Sequence, residues 1–124
     1  LGYFPAIETM RTGLIEHGPL SVSMNMGGSF NSSGIYTCSD NTSTGHAVIV
    51  VGDNDSGGYW IVKNSWGTSW GYDGNGFFKV AYDNCAIQKY PYYADASPLS
   101  GLMIFNDGSG DLEVSSINVV GGSC

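Results

Sequence analysis

The sequence predicts an α+β fold, in which one short amphipathic helix at the N-terminus precedes a β-rich antiparallel sheet or barrel and a hairpin-like tail. Two observations support this prediction. Apolar residues recur at helical spacing between Pro5 and Gly18. Four later runs rich in β-branched and aromatic residues are separated by Gly, Asn and Asp, as strands are. A helix followed by a run of strands is typical of α+β domains.

The helix is predicted over residues 5–17, PAIETMRTGLIEH. Its apolar face would be formed by four residues at helical spacing, Ile7, Met10, Leu14 and Ile15. Pro5 suits the start of a helix, and the pair Gly18-Pro19 suits its end.

The predicted strands are LSVSM (20–24), HAVIVVG (46–52), YWIVKNS (59–65) and GFFKVAY (76–82). GDNDSGG (52–58) between the second and third is interpreted as a hairpin connection, since Gly and Asn tolerate the positive φ of tight turns. Asp53 and Asp55 also match the first and third positions of a calcium loop. However, the twelfth position is Asn64 instead of Glu and the flanks are strands, so the turn is favoured.

The amino-acid composition limits the classes of function and the locations that the protein can have. The chain has 124 residues with 42% apolar content, which is enough for one compact domain with a modest core. Four Lys and Arg against eleven Asp and Glu give a formal net charge of −7, so we expect no nucleic-acid partner. No apolar run approaches the roughly 20 residues of a membrane span. The many Gly, Ser and Asn residues and few basic ones favour a secreted, periplasmic or cell-surface protein, or a lysosomal one in a eukaryote.

A composition change near Tyr90 suggests a boundary. YPYYADASPLSG brings two prolines and small residues before a further strand-like unit, LMIFNDGSGDLEVSSINVV. We therefore predict two parts, residues 1–96 and residues 97–124. The second part is interpreted as a linker with a truncated β-module or an appended hairpin.

His46 and Asn64 are the candidate reactive pair. His46 opens one predicted strand and Asn64 ends the next, 18 residues later, so a hairpin can bring the two side chains together. A hydrogen bond between them would fix the orientation and tautomer of the imidazole and leave its other nitrogen able to exchange a proton. Trp66 could cover that bond. Taken singly, a strand-end histidine is more often structural, and an asparagine before Ser-Trp-Gly is more often a turn residue.

Five segments together resemble the papain-like cysteine peptidases, in that family's order. These are HGPLSVSM (17–24), SGIYTC (33–38), GHAVIVVG (45–52), YWIVKNSWGTSWGYDGNGFFKV (59–80) and NCAIQ (84–88). The resemblance covers roughly residues 5–90 and implies that the chain is the β-rich half of a papain-like fold. The tail is similar to the opening strands of immunoglobulin-like modules on bacterial surface proteins.

The resemblance implies a role for each site residue. His46 matches the general base that pairs with a cysteine thiolate, Asn64 its orienting partner, and Trp66 the shield over their hydrogen bond. Trp66 and Trp70 would line the leaving-group side of the cleft. Gly45 would offer its backbone to an extended peptide substrate. No metal and no cofactor are implied.

The three cysteines, Cys38, Cys85 and Cys124, allow one disulfide with one thiol left over, or three free thiols. The resemblance implies that Cys38 and Cys85 are bridged. Nothing around Cys124 would hold it against His46, so it is a poor candidate for the nucleophile.

The family's nucleophilic cysteine segment has no counterpart in this sequence. The expected function is therefore part of a cysteine endopeptidase that hydrolyses peptide bonds through a Cys-His-Asn site. This chain would supply His46 and Asn64, and its partner would be an N-terminal half carrying the cysteine, in the same precursor or on a second chain. The alternative is a non-catalytic papain-like binding or structural domain that has lost the nucleophile.

Overall fold

A computed structural model describes residues 6–94 and the backbone of residues 104–106 and 112–114. The chain divides into two compact units, Leu1–Ala94 and Asp95–Cys124. The first unit carries one helix and a six-stranded sheet, and the second carries a pair of short strands. The division of function between residues 1–96 and 97–124 stays a prediction.

Helix α1 spans Ile7–His17, within the predicted range. Gly18 ends it with φ 82° and donates its backbone N–H to the Leu14 carbonyl, a conformation that glycine adopts at little cost. Met10 is buried, but Ile15, predicted on the apolar face, is 79% exposed. The reason is geometric: Ile15 lies about 100° around the helix from Leu14, so the buried stripe is narrower than the sequence pattern indicated.

Six strands form one sheet in the order β1-β4-β5-β6-β3-β2. Their bounds are β1 Leu20–Met24, β2 Ser29–Phe30, β3 Ile35–Thr37, β4 His46–Asn54, β5 Tyr59–Lys63 and β6 Phe77–Ala81. All neighbouring pairs are antiparallel except β3 and β6, which are parallel, so the sheet is mixed. The α+β class and the four predicted strands are confirmed. The sequence does not predict β2 and β3, because strands of two and three residues leave no periodic pattern.

The predicted hairpin joins β4 to β5. Its turn covers residues 55–58, and the register pairs Asn54 with Tyr59 and Val50 with Val62. The register shifts between Val50 and Gly52, which leaves Val51 as the extra residue of a bulge. The hairpin therefore brings the start of β4 and the end of β5 to the same end of the sheet.

The core lies on one face of this sheet. Side chains at alternate positions of each strand are buried there, as the period of two requires. Met10 of α1 belongs to the same cluster, so the helix packs on this face. The largest fully buried side chains include Trp60, Met24, Ile87 and Val50. We refer to the opposite face of the sheet as the outer face.

Arg11 ties the helix to the β4–β5 hairpin. Its guanidinium donates hydrogen bonds to Asp53 Oδ2 at 2.9 Å and to Asp55 Oδ1 at 2.7 Å. It also donates to the Tyr82 hydroxyl at 3.1 Å, and that hydroxyl donates to Asp53 Oδ2 at 2.7 Å. The two carboxylates that matched a calcium loop are thus engaged by an arginine, which holds the turn against the helix.

Alkaline pH is expected to weaken this network through Tyr82. Burial, followed by the hydrogen bond to Asp53, raises the pKa of Tyr82 above its usual value. A raised folded-state pKa means that stability is complete below the ordinary tyrosine pKa of about 10 and falls as the pH rises through the folded-state value. We expect the thermal unfolding midpoint, followed by circular dichroism, to fall less steeply above about pH 10 in Tyr82→Phe than in the wild type. Tyr93→Phe, at an exposed tyrosine, should keep the wild-type slope. Equal slopes for all three proteins would contradict the prediction.

The second unit contains two short strands. β7 (Ile104–Asn106) and β8 (Leu112–Val114) pair antiparallel, with Phe105 opposite Glu113. The hairpin-like character of the tail is therefore confirmed for these residues. In the described part of the chain, no helix is long and apolar enough to cross a membrane.

Candidate active site

His46 and Asn64 meet at one end of the β1–β4–β5 ladder. His46 is the first residue of β4, opposite Met24 of β1, and Asn64 follows the last residue of β5. The Asn64 backbone N–H donates to the Gly76 carbonyl at 3.0 Å, which continues the β5–β6 pairing by one residue. His46 Nε2 lies 2.8 Å from Asn64 Oδ1, so the expected hydrogen bond is present.

The backbone settles which tautomer of His46 this hydrogen bond requires. The Ser65 backbone N–H donates to Asn64 Oδ1 at 2.8 Å, so the atom facing His46 is an acceptor. His46 Nε2 must then carry the proton and donate it. Nδ1 is left as the basic nitrogen of a neutral ring, and it has no hydrogen-bond partner among residues 6–94.

The position of the Asn64 side chain leaves one of its buried polar atoms without a hydrogen bond, which costs free energy. Its side chain is part of a residue only 7% exposed, and Nδ2 is buried without a hydrogen-bond partner in the described residues. Leaving a buried amide donor unsatisfied costs about 1–3 kcal/mol. Such exceptions concentrate at sites where function fixes a side chain. The orientation of Asn64 is thus imposed by the two donors on Oδ1 and by packing around the amide.

Two tryptophans surround the pair. The Trp66 ring lies 4.6 Å from the His46 ring, centroid to centroid, with an interplanar angle of 34°. Trp70 meets Trp66 edge-to-face at 5.1 Å and packs in turn on Phe78 of β6 at 5.0 Å. Trp66 is 49% exposed, so one face shields the imidazole and the other is open to solvent. Trp70 is half-buried and acts as the support that fixes Trp66.

Gly45 lies at the exposed end of the same ladder. Its backbone N–H donates to the Met24 carbonyl at 3.1 Å, which fixes the chain immediately before His46. The loop that leads to Gly45 is tied down by the Lys89 ammonium, which donates to the Thr42 carbonyl at 2.8 Å. The backbone beside His46 is therefore exposed but held in place.

The predicted disulfide between Cys38 and Cys85 is confirmed, with Cα atoms 5.1 Å apart. An asparagine side chain accepts the backbone N–H of each bridged cysteine. Asn84 Oδ1 accepts the Cys38 backbone N–H at 2.7 Å, and Asn41 Oδ1 accepts the Cys85 backbone N–H at 2.8 Å. Sequence reasoning missed both contacts, although an asparagine directly before a cysteine in a turn is a usable signal. The disulfide and these contacts anchor the start of the loop that ends at Gly45.

Comparison with known proteins identifies the family. The family model of the papain family cysteine proteases matches residues 4–95. The chain belongs to the papain family of cysteine proteases. Cathepsin L2 of Homo sapiens is 44% identical in an alignment 84 residues long, and the match covers 56% of this chain and 25% of that protein. Germination-specific cysteine protease 1 of Arabidopsis thaliana is 43% identical in an alignment 72 residues long, and the match covers 54% of this chain and 19% of that protein.

Solved structures agree with the family at the level of the fold. A structure of digestive procathepsin L 3 from the larval midgut of Tenebrio molitor superposes with a TM-score of 0.53 at 28% identity, over 73% of this chain and 33% of that one. A structure from a study of the mite allergens Blo t 1 and Der p 1 gives a TM-score of 0.56 at 28% identity, over 76% and 33%. This chain thus spans about a third of these papain-family chains, and the likeness to them lies in its β-rich fold.

Among residues 6–94, both cysteines are consumed by the disulfide, and no group of three or more His, Cys, Asp or Glu side chains is placed to hold a metal. Cys124 and the rest of the tail lie outside the described side chains. Residues 6–94 of this papain-family chain therefore bring together an imidazole, the amide oxygen that accepts its hydrogen bond and an adjoining tryptophan ring, and they hold no free thiol.

Proposed function

We propose that this chain supplies His46 and Asn64 to a Cys-His-Asn site that hydrolyses peptide bonds, with the nucleophilic cysteine on a segment or chain outside residues 1–124. The observation that carries the proposal is the hydrogen bond from His46 Nε2 to Asn64 Oδ1 beneath Trp66. That contact determines which imidazole nitrogen is basic.

The reaction uses this geometry in two proton transfers. His46 Nδ1 takes the proton of the thiol, and the thiolate attacks the peptide carbonyl to form a tetrahedral intermediate. The imidazolium then donates that proton to the leaving amine, and water hydrolyses the resulting thioester. Asn64 accepts from Nε2 throughout without changing its own charge. Trp66 excludes water that would compete for the Asn64 oxygen.

The substrate would be an extended peptide. We assign the exposed backbone at Gly45 to main-chain hydrogen bonds with it. The solvent-facing side of Trp66, supported by Trp70, would contact the leaving-group side chains. The Cys38–Cys85 disulfide supports an oxidising compartment, so we place the protein outside the cytosol, either secreted, at the cell surface, in a periplasm or in a lysosome.

The test uses the complete protein that carries this chain, with an epoxide that alkylates activated thiols. We expect it to abolish hydrolysis of a fluorogenic peptide amide, and peptide mapping should find the label on a cysteine outside residues 1–124. The isolated 124-residue chain should neither turn over the substrate nor react. Turnover by the isolated chain, or a label on Cys124, would contradict the proposal. A complete protein without turnover or labelling would favour the non-catalytic binding domain.

A further inference from the structure

The sequence contains three triplets of the form Asn-x-Ser, the acceptor pattern for N-linked glycans. They are NSS (31–33), NTS (41–43) and NDS (54–56). Such triplets are common by chance, so the pattern alone does not identify an acceptor. A glycan is bulky and is bonded to the side-chain nitrogen, so an acceptor asparagine needs an exposed Nδ2 with open space beside it. The structure distinguishes the three amides by their surroundings.

Asn31 presents its amide nitrogen at the tip of the connection between β2 and β3. Its Oδ1 accepts the Ser33 backbone N–H at 2.9 Å and the Ile35 backbone N–H at 3.0 Å. Both contacts use the oxygen, so the side chain is held in place while Nδ2 forms no hydrogen bond within residues 6–94. All three residues of the triplet are exposed. The contact with Ser33 is an Asx turn, which keeps the third residue of the triplet beside the amide.

Asn41 is turned toward the disulfide instead. Its Oδ1 accepts the backbone N–H of Cys85, a residue without exposed surface, at 2.8 Å. The same side chain lines a hollow of about 70 Å³ formed with residues 83–88. That hollow has room for a few water molecules but not for a sugar ring. A sugar on this amide would have to move it away from Cys85 and leave a buried N–H without its acceptor, which is unfavourable.

Asn54 folds back into the turn of the β4–β5 hairpin. It is half-buried, and its Oδ1 accepts the Gly57 backbone N–H at 2.8 Å and the Ser56 hydroxyl at 3.0 Å. A Cβ added at Gly57 would clash with the Tyr59 ring and lie 3.1 Å from Asn54 Oδ1. The turn is thus closely packed around this amide, and the hydroxyl that the acceptor pattern requires is already bonded within it.

We propose that Asn31 carries an N-linked glycan when the protein passes through a eukaryotic secretory pathway, and that Asn41 and Asn54 do not. The inference rests on the proposed location outside the cytosol and not on the proposed reaction. In the modification, Asn31 Nδ2 attacks the anomeric carbon of a lipid-linked oligosaccharide pyrophosphate. A C–N bond forms, the C–O bond to the pyrophosphate breaks, Nδ2 loses one proton, and the lipid pyrophosphate leaves. Oδ1 remains an acceptor, so both contacts that hold Asn31 are retained.

The glycan would stand beside exposed aromatic surface. Gly34 donates its N–H to the Asn31 carbonyl at 3.0 Å, and a Cβ added at Gly34 would lie 2.6 Å from the Tyr72 ring. The ring therefore packs directly on the turn that carries Asn31, and Tyr72 is 56% exposed. A row of ring contacts separates Tyr72 from Trp66 of the candidate active site. We expect the glycan to cover Tyr72 and to leave the hydrolysis of small peptide amides unchanged.

The experiment is expression of the complete protein in cultured animal cells, followed by enzymatic release of N-linked glycans in heavy-oxygen water and peptide mass spectrometry. Release converts a modified asparagine into an aspartate that carries heavy oxygen, so the label marks the acceptor. We expect the label on Asn31 and on neither Asn41 nor Asn54. Ser33→Ala should abolish it, because this variant lacks the required hydroxyl but keeps the backbone N–H that holds Asn31. Ser33→Thr should keep it.

Ser43→Ala is the matched control, since it breaks the second triplet and should leave the label on Asn31 unchanged. Label on Asn41 or Asn54 of the secreted protein would overturn the proposal. So would the absence of label on Asn31 from both the secreted and the cell-associated protein. A protein that hydrolyses peptides without a glycan on Asn31 refutes this inference but not the proposed function. A protein glycosylated on Asn31 that lacks peptidase activity does the reverse.

Discussion

Replacing His46 by alanine is expected to lower kcat/KM of the complete protein for a peptide amide by about 10⁴-fold or more. The reason is that one imidazole performs both proton transfers of the proposed reaction. Without it the thiol is not deprotonated and the leaving amine is not protonated. Initial rates at several substrate concentrations measure the loss, and an unchanged thermal unfolding midpoint excludes misfolding as its cause.

The chain provides a matched control in its other histidine. His17 stacks on Tyr93 with ring centroids 3.7 Å apart, away from the His46–Asn64 pair, so His17→Ala should keep near-normal activity. Asn64→Ala should fall between the two, with a loss of roughly 10²-fold, because the ring keeps its basic nitrogen but loses the acceptor that fixes its tautomer. Equal activity of His46→Ala and His17→Ala would remove His46 from the mechanism.

Removing the disulfide is expected to give the largest loss of stability. Cys38 and Cys85 are separated by 47 residues in sequence, and a loop of that size contributes on the order of 3–4 kcal/mol by restricting the unfolded chain. That is a large share of the roughly 5–15 kcal/mol that stabilises a typical domain. The double variant Cys38→Ala/Cys85→Ala should therefore unfold at a much lower urea concentration, as followed by tryptophan fluorescence of the 124-residue chain.

Cys124→Ser is the control for the loss of a cysteine outside the Cys38–Cys85 pair. It should unfold like the wild type. If the double variant also remained within about 0.5 kcal/mol of the wild type, the range of ordinary surface substitutions, the disulfide would contribute nothing measurable. The loop before Gly45 would then depend on the Asn41, Asn84 and Lys89 contacts.

Long periodic segments are predictable from sequence. Helix α1 and strands β1, β4, β5 and β6 each follow from a local pattern that predicts the element, although Ile15 of the predicted helical face is exposed. β2 and β3 do not, since Ser29–Phe30 and Ile35–Thr37 are strands only because β6 offers β3 a parallel partner. Pairing between segments distant in sequence is decided by the assembled sheet, so a short stretch of sequence does not predict it.

The candidate site was likewise predictable from the sequence only in part. The order of His46, Asn64 and Trp66 along the chain, together with the hairpin between them, is enough to indicate a hydrogen-bonded pair. The tautomer does not follow from the sequence, because it depends on the Ser65 N–H reaching Asn64 Oδ1 at 2.8 Å. Neither does the pairing of Arg11 with Asp53 and Asp55, which joins segments more than 40 residues apart.

By itself, then, the sequence determined the α+β class, the family resemblance and the choice of candidate site residues, because these depend on local patterns and on residue type. Only the tertiary structure decided which nitrogen of His46 is basic and which face of the sheet is left open around Lys63. Both depend on contacts between strands, where a shift of one residue would turn every side chain to the other face.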